Sequence, residues 1–443
     1  MKTPIDLLIK ARWIIPVEPE RAVLENHAVA IDKGRIVAIS QQSDAESRFE
    51  PRDTQKLAHH ILIPGLVNLH THAAMTLLRG IADDIPLEKW LKDHIWPTEA
   101  KHVSAQFVHD GTLLACAEML LGGITCFNDM YFFPEEAARA ALKLGMRAAI
   151  GLLVLDFPSS YAADADDYLN KSMAARDELK HEALLSFCLA PHSPYTVCDK
   201  NFEQILTLAE QCDLPIHLHL HETLQETTDS VLQSGIRPLE RLHRLGLPGP
   251  GFIAVHSVHL TPEEIALLAQ FGCSVAHCPS SNLKLASGIA PIAAMVDKGV
   301  NIGLGTDSAA SNNRLDLFEE MRLAALLAKG ASGNAKIIDA HRALHMATLG
   351  GARALGLEEE IGSISEGKAA DLCAIRTDDL RLMPCYDPLS LLVYSAGREF
   401  VSDVWVAGKK RVGNGRLLDL NETVLINLAS LWQNRLRSSD STL

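Results

Sequence analysis

Apolar and polar positions follow two different rhythms along this chain. Residues 7–39 alternate with the period of two expected of half-buried strands. Within them, residues 28–31, the turn Asp32-Lys33-Gly34 and residues 35–39 read as a hairpin. The same rhythm returns late, where 370–375 and 401–407 read as strands and Gly408, Gly413 and Gly415 mark turns before Leu417. Between about residues 60 and 365, short unbroken apolar runs alternate with amphipathic segments, the mark of strands buried on both faces. The runs are 61–69, 124–128, 147–155, 184–190, 215–221, 252–256, 273–277 and 300–306. Helix punctuation falls between them: Thr261-Pro262-Glu263-Glu264 supplies an N-cap, a first-turn proline and a capping-box glutamate, and Gly145 closes a helix begun near Pro134. Such alternation predicts an α/β chain folded as a (β/α)8 TIM-type barrel. The outer strands predict a small β-sandwich domain built from both termini. The expected division is 1–60 for the first part of the sandwich, 61–365 for the barrel, and 366–443 for the rest of the sandwich plus a terminal helix. Residues 437–443 are polar and are expected to fray.

Composition narrows the setting. A length of 443 residues suits several domains, but α/β barrels run long as single units. Lys plus Arg number 41 against 55 for Asp plus Glu, and the net charge of −14 argues against nucleic-acid or anionic-membrane partners. The first residues carry Lys2, Asp6, Lys10 and Arg12 and lack a signal-peptide core, and no apolar run reaches the ~18–20 residues of a membrane span. Nine scattered cysteines without a Cys-x-x-Cys pair fit reduced thiols, so a cytoplasmic location is expected.

The chemistry gathers where the apolar runs end. His70-Thr71-His72 closes the first run, and residues two apart on a strand point to one side, so both imidazoles can reach one ion. His192 follows the fourth run. His217-Leu218-His219-Leu220-His221-Glu222-Thr223 closes the fifth with three histidines on one face, among which spacing alone does not choose. His256 ends the sixth, and Asp307, in Gly303-Leu304-Gly305-Thr306-Asp307-Ser308, follows the eighth. In a barrel the C-terminal strand ends line one cup. Imidazoles and a carboxylate converging there are a ligand set for a divalent ion such as Zn²⁺. A His-Glu-x-x-His metalloprotease motif would need histidine where Gln225 stands. The His-x-Glu and Pro-Cys-x-x-Cys signature of the other deaminase fold is absent, since Pro384-Cys385 lacks a second cysteine.

Several stretches carry a resemblance to a known family. They are Pro64-Gly65-Leu66-Val67-Asn68 before the His-Thr-His, Leu87-Glu88-Lys89-Trp90-Leu91, Trp96-Pro97-Thr98-Glu99, Asp129-Met130-Tyr131-Phe132, Ala190-Pro191-His192-Ser193-Pro194-Tyr195, His277-Cys278-Pro279-Ser280-Ser281-Asn282, and the run from Gly305 to Asn312. Over nearly its whole length the chain resembles the methylthioadenosine/S-adenosylhomocysteine deaminases of the amidohydrolase superfamily. The resemblance implies that His70, His72, His219 and Asp307 hold one Zn²⁺ per chain, with Fe or Mn as alternatives. Through the His-x-x-Glu-Thr spacing it makes Glu222 the acid/base, and it places His256 beside the attacking water, whose proton Asp307 accepts. Trp90, Glu99 and His192 become nucleoside contacts, Glu99 at the ribose hydroxyls. His217, His221 and His259 keep a reading as packed or hydrogen-bonded barrel residues. Two-metal members of the superfamily bridge their ions through a modified lysine on the fourth strand; 184–191 contains no lysine.

The implied reaction is hydrolytic removal of the exocyclic amine of an adenine nucleoside, with 5′-methylthioadenosine as the expected substrate and adenosine or S-adenosylhomocysteine beside it. Some members place arginines after the third strand, where they meet the carboxylate of S-adenosylhomocysteine. Here no arginine lies between Arg147 and Arg176, Lys171 is the one lysine, and 152–158 is apolar apart from Asp156. Rival readings are another hydrolase of this scaffold, acting on guanine, a triazine or a different cyclic amidine, and a non-enzymatic interaction protein, which would have lost its ligand residues. The expected partner is a small nucleoside, and a homo-oligomer is compatible with the sequence.

Overall fold

In a computed structural model, which describes residues 1–439, the backbone forms two sheets of eight strands each. One sheet draws on both ends of the chain: β1 (Thr3–Ile14), β2 (Leu24–Asp32), β3 (Arg35–Gln41) and β4 (Phe49–Pro64) from the start. From the other end come β13 (Leu372–Arg376), β14 (Val401–Val406), β15 (Lys409–Gly413) and β16 (Arg416–Leu417). The order is β16-β15-β14-β13-β4-β1-β2-β3, so the two ends meet where β4 runs antiparallel to β13, with Leu62 opposite Ala374. Ile9, Ile14, Val29, Leu62, Leu372 and Trp405 pack into one core on this sheet. The sheet curls far enough that Arg35 bridges to Ala369, and a Cβ on Gly34 would lie 2.5 Å from the carbonyl oxygen of Ala407. The β2–β3 hairpin is the one expected from Asp32-Lys33-Gly34.

The second sheet holds β5 (Leu66–Thr71), β6 (Ile124–Tyr131), β7 (Arg147–Val154), β8 (Leu185–Pro191), β9 (Ile216–Leu220), β10 (Phe252–His256), β11 (Ser274–His277) and β12 (Asn301–Leu304), paired in parallel in chain order. Most of these residues are fully buried, which is why their sequences read as unbroken apolar runs. The barrel is nearly closed. Across the seam between β12 and β5, Asn68 donates to Thr306 Oγ1 at 2.8 Å and accepts from the Thr306 amide at 2.9 Å, while the Asp307 amide donates to the His70 carbonyl at 3.0 Å.

One expected strand divides. Residues 61–69 are not a single barrel strand: 61–64 finish β4 in the terminal sheet, and β5 begins at Leu66. Gly65 sits at the switch because a Cβ there would come within 2.1 Å of Thr125 Oγ1. The polar first part of β4 escapes sequence reading because it is largely exposed and carries no apolar run. A buried ion pair ties barrel to sheet: Arg147 Nε lies 3.0 Å from Asp371 Oδ2, and Asp371 also accepts from the Ala407 amide at 2.7 Å. The terminal helix Glu422–Ser439 is fixed by Trp432, whose Nε1 donates to Asp110 Oδ2 at 2.8 Å. The helix includes Arg437, so the expected fraying does not begin there; residues 440–443 lie outside the described residues. Thr261 forms the anticipated capping box, and Gly145 ends its helix at φ 61°. No described helix is long and apolar enough to cross a membrane.

Candidate active site

At the C-terminal end of the barrel, the functional side chains reach the cup from four strands or the loops after them. His70 lies in β5 and His72 just beyond it, His219 in β9, His256 at the last position of β10, and Asp307 three residues past β12. His221, His256, Ser257 and Asp307 have φ values of 53°, 66°, 51° and 58°. Left-handed backbone costs a non-glycine residue about 1–3 kcal/mol, and here it turns chain ends that would otherwise run straight out of the barrel. For His221 the turn breaks the period of two: its ring leaves the cup and its Nε2 accepts from the Leu239 amide at 3.1 Å. His259 donates to the Ser287 carbonyl at 2.8 Å, which also agrees with a structural role.

The imidazoles in the cup are held from behind. His72 Nδ1 donates to the Met130 carbonyl at 2.6 Å, and His219 Nδ1 donates to the His192 carbonyl at 2.7 Å. Carbonyl oxygens only accept, so these bonds put the proton on Nδ1 and leave a lone pair on Nε2. His70 Nδ1 lies 3.0 Å from Nε2 of His217, and both rings are buried. Burial pushes the His70 imidazolium down to about 4 and holds His219 and His217 well below the usual histidine range, so these rings are neutral.

The inward-facing atoms crowd together. His70 Nε2 is 3.2 Å from His219 Nε2 and 3.3 Å from Asp307 Oδ1, and His72 Nε2 is 3.4 Å from the same oxygen. Lone pairs and a carboxylate facing one another in a buried cup repel unless a cation lies among them. Ligand atoms about 2.1 Å from a tetrahedral zinc ion are themselves about 3.4 Å apart, so this donor set fits a divalent ion. His256 groups with His70 and Asp307 as a second overlapping cluster. On its far side Asp307 Oδ2 accepts from Ser281 Oγ at 2.6 Å and Ser311 Oγ at 2.8 Å. Asp307 stays ionised, its carboxyl held well below its usual range against the opposing effect of burial.

Glu222 stands beside this cluster. Its Oε2 is 3.7 Å from His256 Nε2 and its Oε1 is 3.4 Å from Ser287 Oγ. Burial raises its carboxyl pKa, with the Asp307 charge acting the same way and His256 opposing. Its backbone is fixed by Glu226, whose carboxylate accepts the amides of His221 and Glu222 at 3.0 and 2.8 Å. His256 Nδ1 donates to Asn282 Oδ1 at 2.9 Å, leaving Nε2 free to take a proton.

The cup opens into a cleft of about 830 Å³. Glu222, His256 and Asp307 lie on its lining with His72 and His219. So do the expected nucleoside contacts, Trp90, Glu99 and His192. Trp90 and Glu99 arrive on the helical turns Leu87–Trp90 and Trp96–His102, within the excursion between β5 and β6. Tyr131 donates to Glu99 Oε1 at 2.6 Å, and burial pushes the Glu99 carboxyl up to about 7. Sequence reasoning gave no role to Tyr131, Glu226, Ser281, Asn282, Ser287 or Ser311. One signal was available: Thr223-Leu224-Gln225-Glu226 has the spacing of a capping box.

Comparison with known proteins agrees with this geometry. The model of the amidohydrolase family matches residues 61–411. A 5-methylthioadenosine/S-adenosylhomocysteine deaminase of Saccharophagus degradans is 45% identical over 437 residues, covering 99% of this chain and 98% of its own; its counterpart in Teredinibacter turnerae is 46% identical over 434 residues, covering 98% of each. Among solved structures, an adenosine deaminase from Xanthomonas campestris with bound zinc superposes with a TM-score of 0.98 at 49% identity, covering 99% of this chain and 100% of its own. An atrazine chlorohydrolase from Arthrobacter aurescens complexed with zinc reaches a TM-score of 0.88 at 26% identity, covering 96% of this chain and 99% of its own.

The back-bonding of the rings predicts an ordering of losses. His219→Ala removes an inward-facing nitrogen and should abolish tight binding of a divalent ion. His217→Ala removes only the group behind His70 and should weaken binding by about 10–100-fold, the usual effect of an outer partner. Elemental analysis and chelator competition on both purified variants check this; greater loss from His217→Ala would reverse the assignment.

Proposed function

The chain belongs to the amidohydrolase family, and from that premise we propose that it is a metal-dependent hydrolytic deaminase of adenine nucleosides. It would convert 5′-methylthioadenosine, with adenosine close behind, to the inosine-type product and ammonia. The observation that carries this reading is the placement of Glu222 and His256, 3.7 Å apart, at the edge of the three-histidine, one-aspartate cluster on the lining of a largely apolar cleft. His70, His72, His219 and Asp307 would hold one ion per chain. Zinc is favoured because it occupies the solved relatives described above, and a single ion because β8 offers no lysine to bridge a pair. When bound, the ion supplies Lewis-acid chemistry that brings the pKa of water from 15.7 towards about 7.

The protein's own groups then divide the proton traffic. Asp307 and the free Nε2 of His256 take the proton lost by the water. Glu222, its pKa raised by burial, delivers one to a purine ring nitrogen, which makes the adjacent ring carbon electrophilic. Glu99, braced by Tyr131, would accept hydrogen bonds from the ribose hydroxyls. A triazine has no hydroxyl pair to meet that carboxylate, and this favours the nucleoside reading over the chlorohydrolase alternative. His192 and Trp90 would flank the nucleoside. Nine unpaired cysteines suit a reducing, cytoplasmic setting.

The 5′ end of the nucleoside would meet Leu153, Leu155 and Phe157, and among the described residues no lysine or arginine lines the cleft. Arg147, just before this stretch, is committed to Asp371. The thiomethyl group of methylthioadenosine finds apolar surface there. The carboxylate of S-adenosylhomocysteine finds no counter-ion, at a cost of a few kcal/mol if it is desolvated.

Three measurements test the proposal. Elemental analysis should find close to one ion per chain, and two tightly bound ions would contradict the mononuclear site. Glu222→Gln should keep its metal and lose at least ~10²-fold in kcat, since glutamine fills the space but carries no transferable proton; turnover near wild type would remove Glu222 from the chemistry. Steady-state kinetics should rank methylthioadenosine above S-adenosylhomocysteine in kcat/KM, with adenosine between them or close to the first. Equal or better use of S-adenosylhomocysteine would refute this account of the cleft.

A further inference from the structure

Two separate stretches of chain grip the proton-handling pair. The short helix Pro279–Lys284 supplies Ser281, bonded to Asp307 Oδ2 at 2.6 Å, and Asn282, bonded to His256 Nδ1 at 2.9 Å. The loop after β12 supplies Ser311, bonded to the same Asp307 oxygen at 2.8 Å. Asp307 keeps one orientation only if these stretches hold a fixed spacing.

A single buried carboxylate spans them. Glu320, on the helix Leu317–Ser332, is 1% exposed. Its Oε2 accepts the Ser280 amide at 3.0 Å, and its Oε1 accepts Asn312 Nδ2 at 2.8 Å. Asn312 Nδ2 also donates to the Thr306 carbonyl at 2.7 Å, one residue before Asp307. One oxygen therefore holds the residue beside Ser281 and the other holds the residue beside Ser311. A buried carboxylate is costly unless both oxygens are satisfied, and both are satisfied here by these two stretches.

We propose that Glu320 is a positioning residue of the reaction: it clamps the helix Pro279–Lys284 to the loop after β12 and so fixes Asp307 and His256 relative to one another, without touching the nucleoside. This rests on the roles proposed above for Asp307 and His256. A misplacement of about 1 Å in such groups can cost ~10²-fold in rate while leaving substrate binding intact.

Glu320→Gln keeps the volume but offers one accepting oxygen where two donors converge, so one side of the clamp opens. In the metal-loaded full-length protein, kcat on methylthioadenosine should fall about 10–100-fold, with KM within about threefold of wild type and metal content unchanged. With cobalt(II) as the probe ion, the visible absorption of the variant should differ from wild type at equal stoichiometry, because Asp307 is reoriented. Combined with Ser281→Ala, the loss in kcat should be smaller than the product of the separate losses, since both act through the same hold on Asp307. Asn312→Ala, which removes the other end of the clamp, should also lower kcat at near-constant KM, and it decides the matter if Glu320→Gln does not fold. Wild-type kcat and cobalt spectrum, fully multiplicative losses, or a parallel fall in metal content, Tm and activity would each overturn the proposal. A wild-type protein that turned over no adenine nucleoside would instead remove the deaminase reading, and the cobalt spectra would still decide the role of Glu320.

Discussion

The upper end of the barrel is organised around one electrostatic constraint: in a buried cup the His70 lone pair faces that of His219 at 3.2 Å, and His70 and His72 face one Asp307 oxygen at 3.3 and 3.4 Å. Without a cation such an arrangement is repulsive, and free side chains would relax away from it. They are prevented from doing so by bonds on their outer sides. His72 and His219 are held by the carbonyls of Met130, near the end of β6 beside β5, and of His192, just past the end of β8 beside β9. Ring orientation is thus a property of the barrel backbone, and hydrogen-bond geometry selects the tautomer that leaves Nε2 open. His70 is the exception, since it leans on another side chain. His217 can accept from it through Nε2.

The backbone is constrained as well. Strand ends are natural exits, yet His256 and Asp307 turn through left-handed conformations and line the cleft at the barrel mouth. That strain persists because the elements below are rigid. The seam of the barrel is closed by Asn68 and Thr306, directly beneath Asp307, and the bottom is tied to the terminal sheet by the buried pair Arg147–Asp371. The two ends of the chain, remote in sequence, form one sheet that supports the barrel from the side opposite the chemistry.

How much of this could be read from residues alone follows from what each element buries. Strands enclosed on both faces leave unbroken apolar runs, so the barrel strands and the residues at their ends were legible. The first part of β4 is mostly solvent-exposed and polar, and nothing in its pattern separates it from a loop. The split of 61–69 at Gly65 was hidden for the opposite reason: apolar residues continue across it, and only the crowding by Thr125 reveals the change of sheet. In the site, ligand-type residues announce themselves, whereas Ser281, Ser311, Asn282 and Glu320 are ordinary polar residues whose significance lies in what they touch. The three histidines at 217, 219 and 221 were equivalent by spacing. The fold distinguishes them, placing His219 against the cluster, His217 behind His70 and His221 outside the cup.

Under the roles proposed above, Glu222 and Asp307 would let one fold run acid and base chemistry together. Glu222 and Asp307 are both buried, yet their environments push them apart. Glu222 is buried with a like charge nearby, which favours its protonated form. Asp307 accepts two hydroxyl donors, from Ser281 and Ser311, which favour its ionised form. A pair of carboxyls separated in this way supplies an acid and a base at the same pH, without either having to change roles before the first proton moves. Deamination needs both at once, one proton leaving the water and one reaching the ring. In the mechanism proposed above, His256, 3.7 Å from Glu222, would pass protons from Asp307 to Glu222 as the amine departs. The geometry therefore suits a reaction in which protons circulate among fixed groups, and it explains why so many of the surrounding residues serve only to hold those groups still.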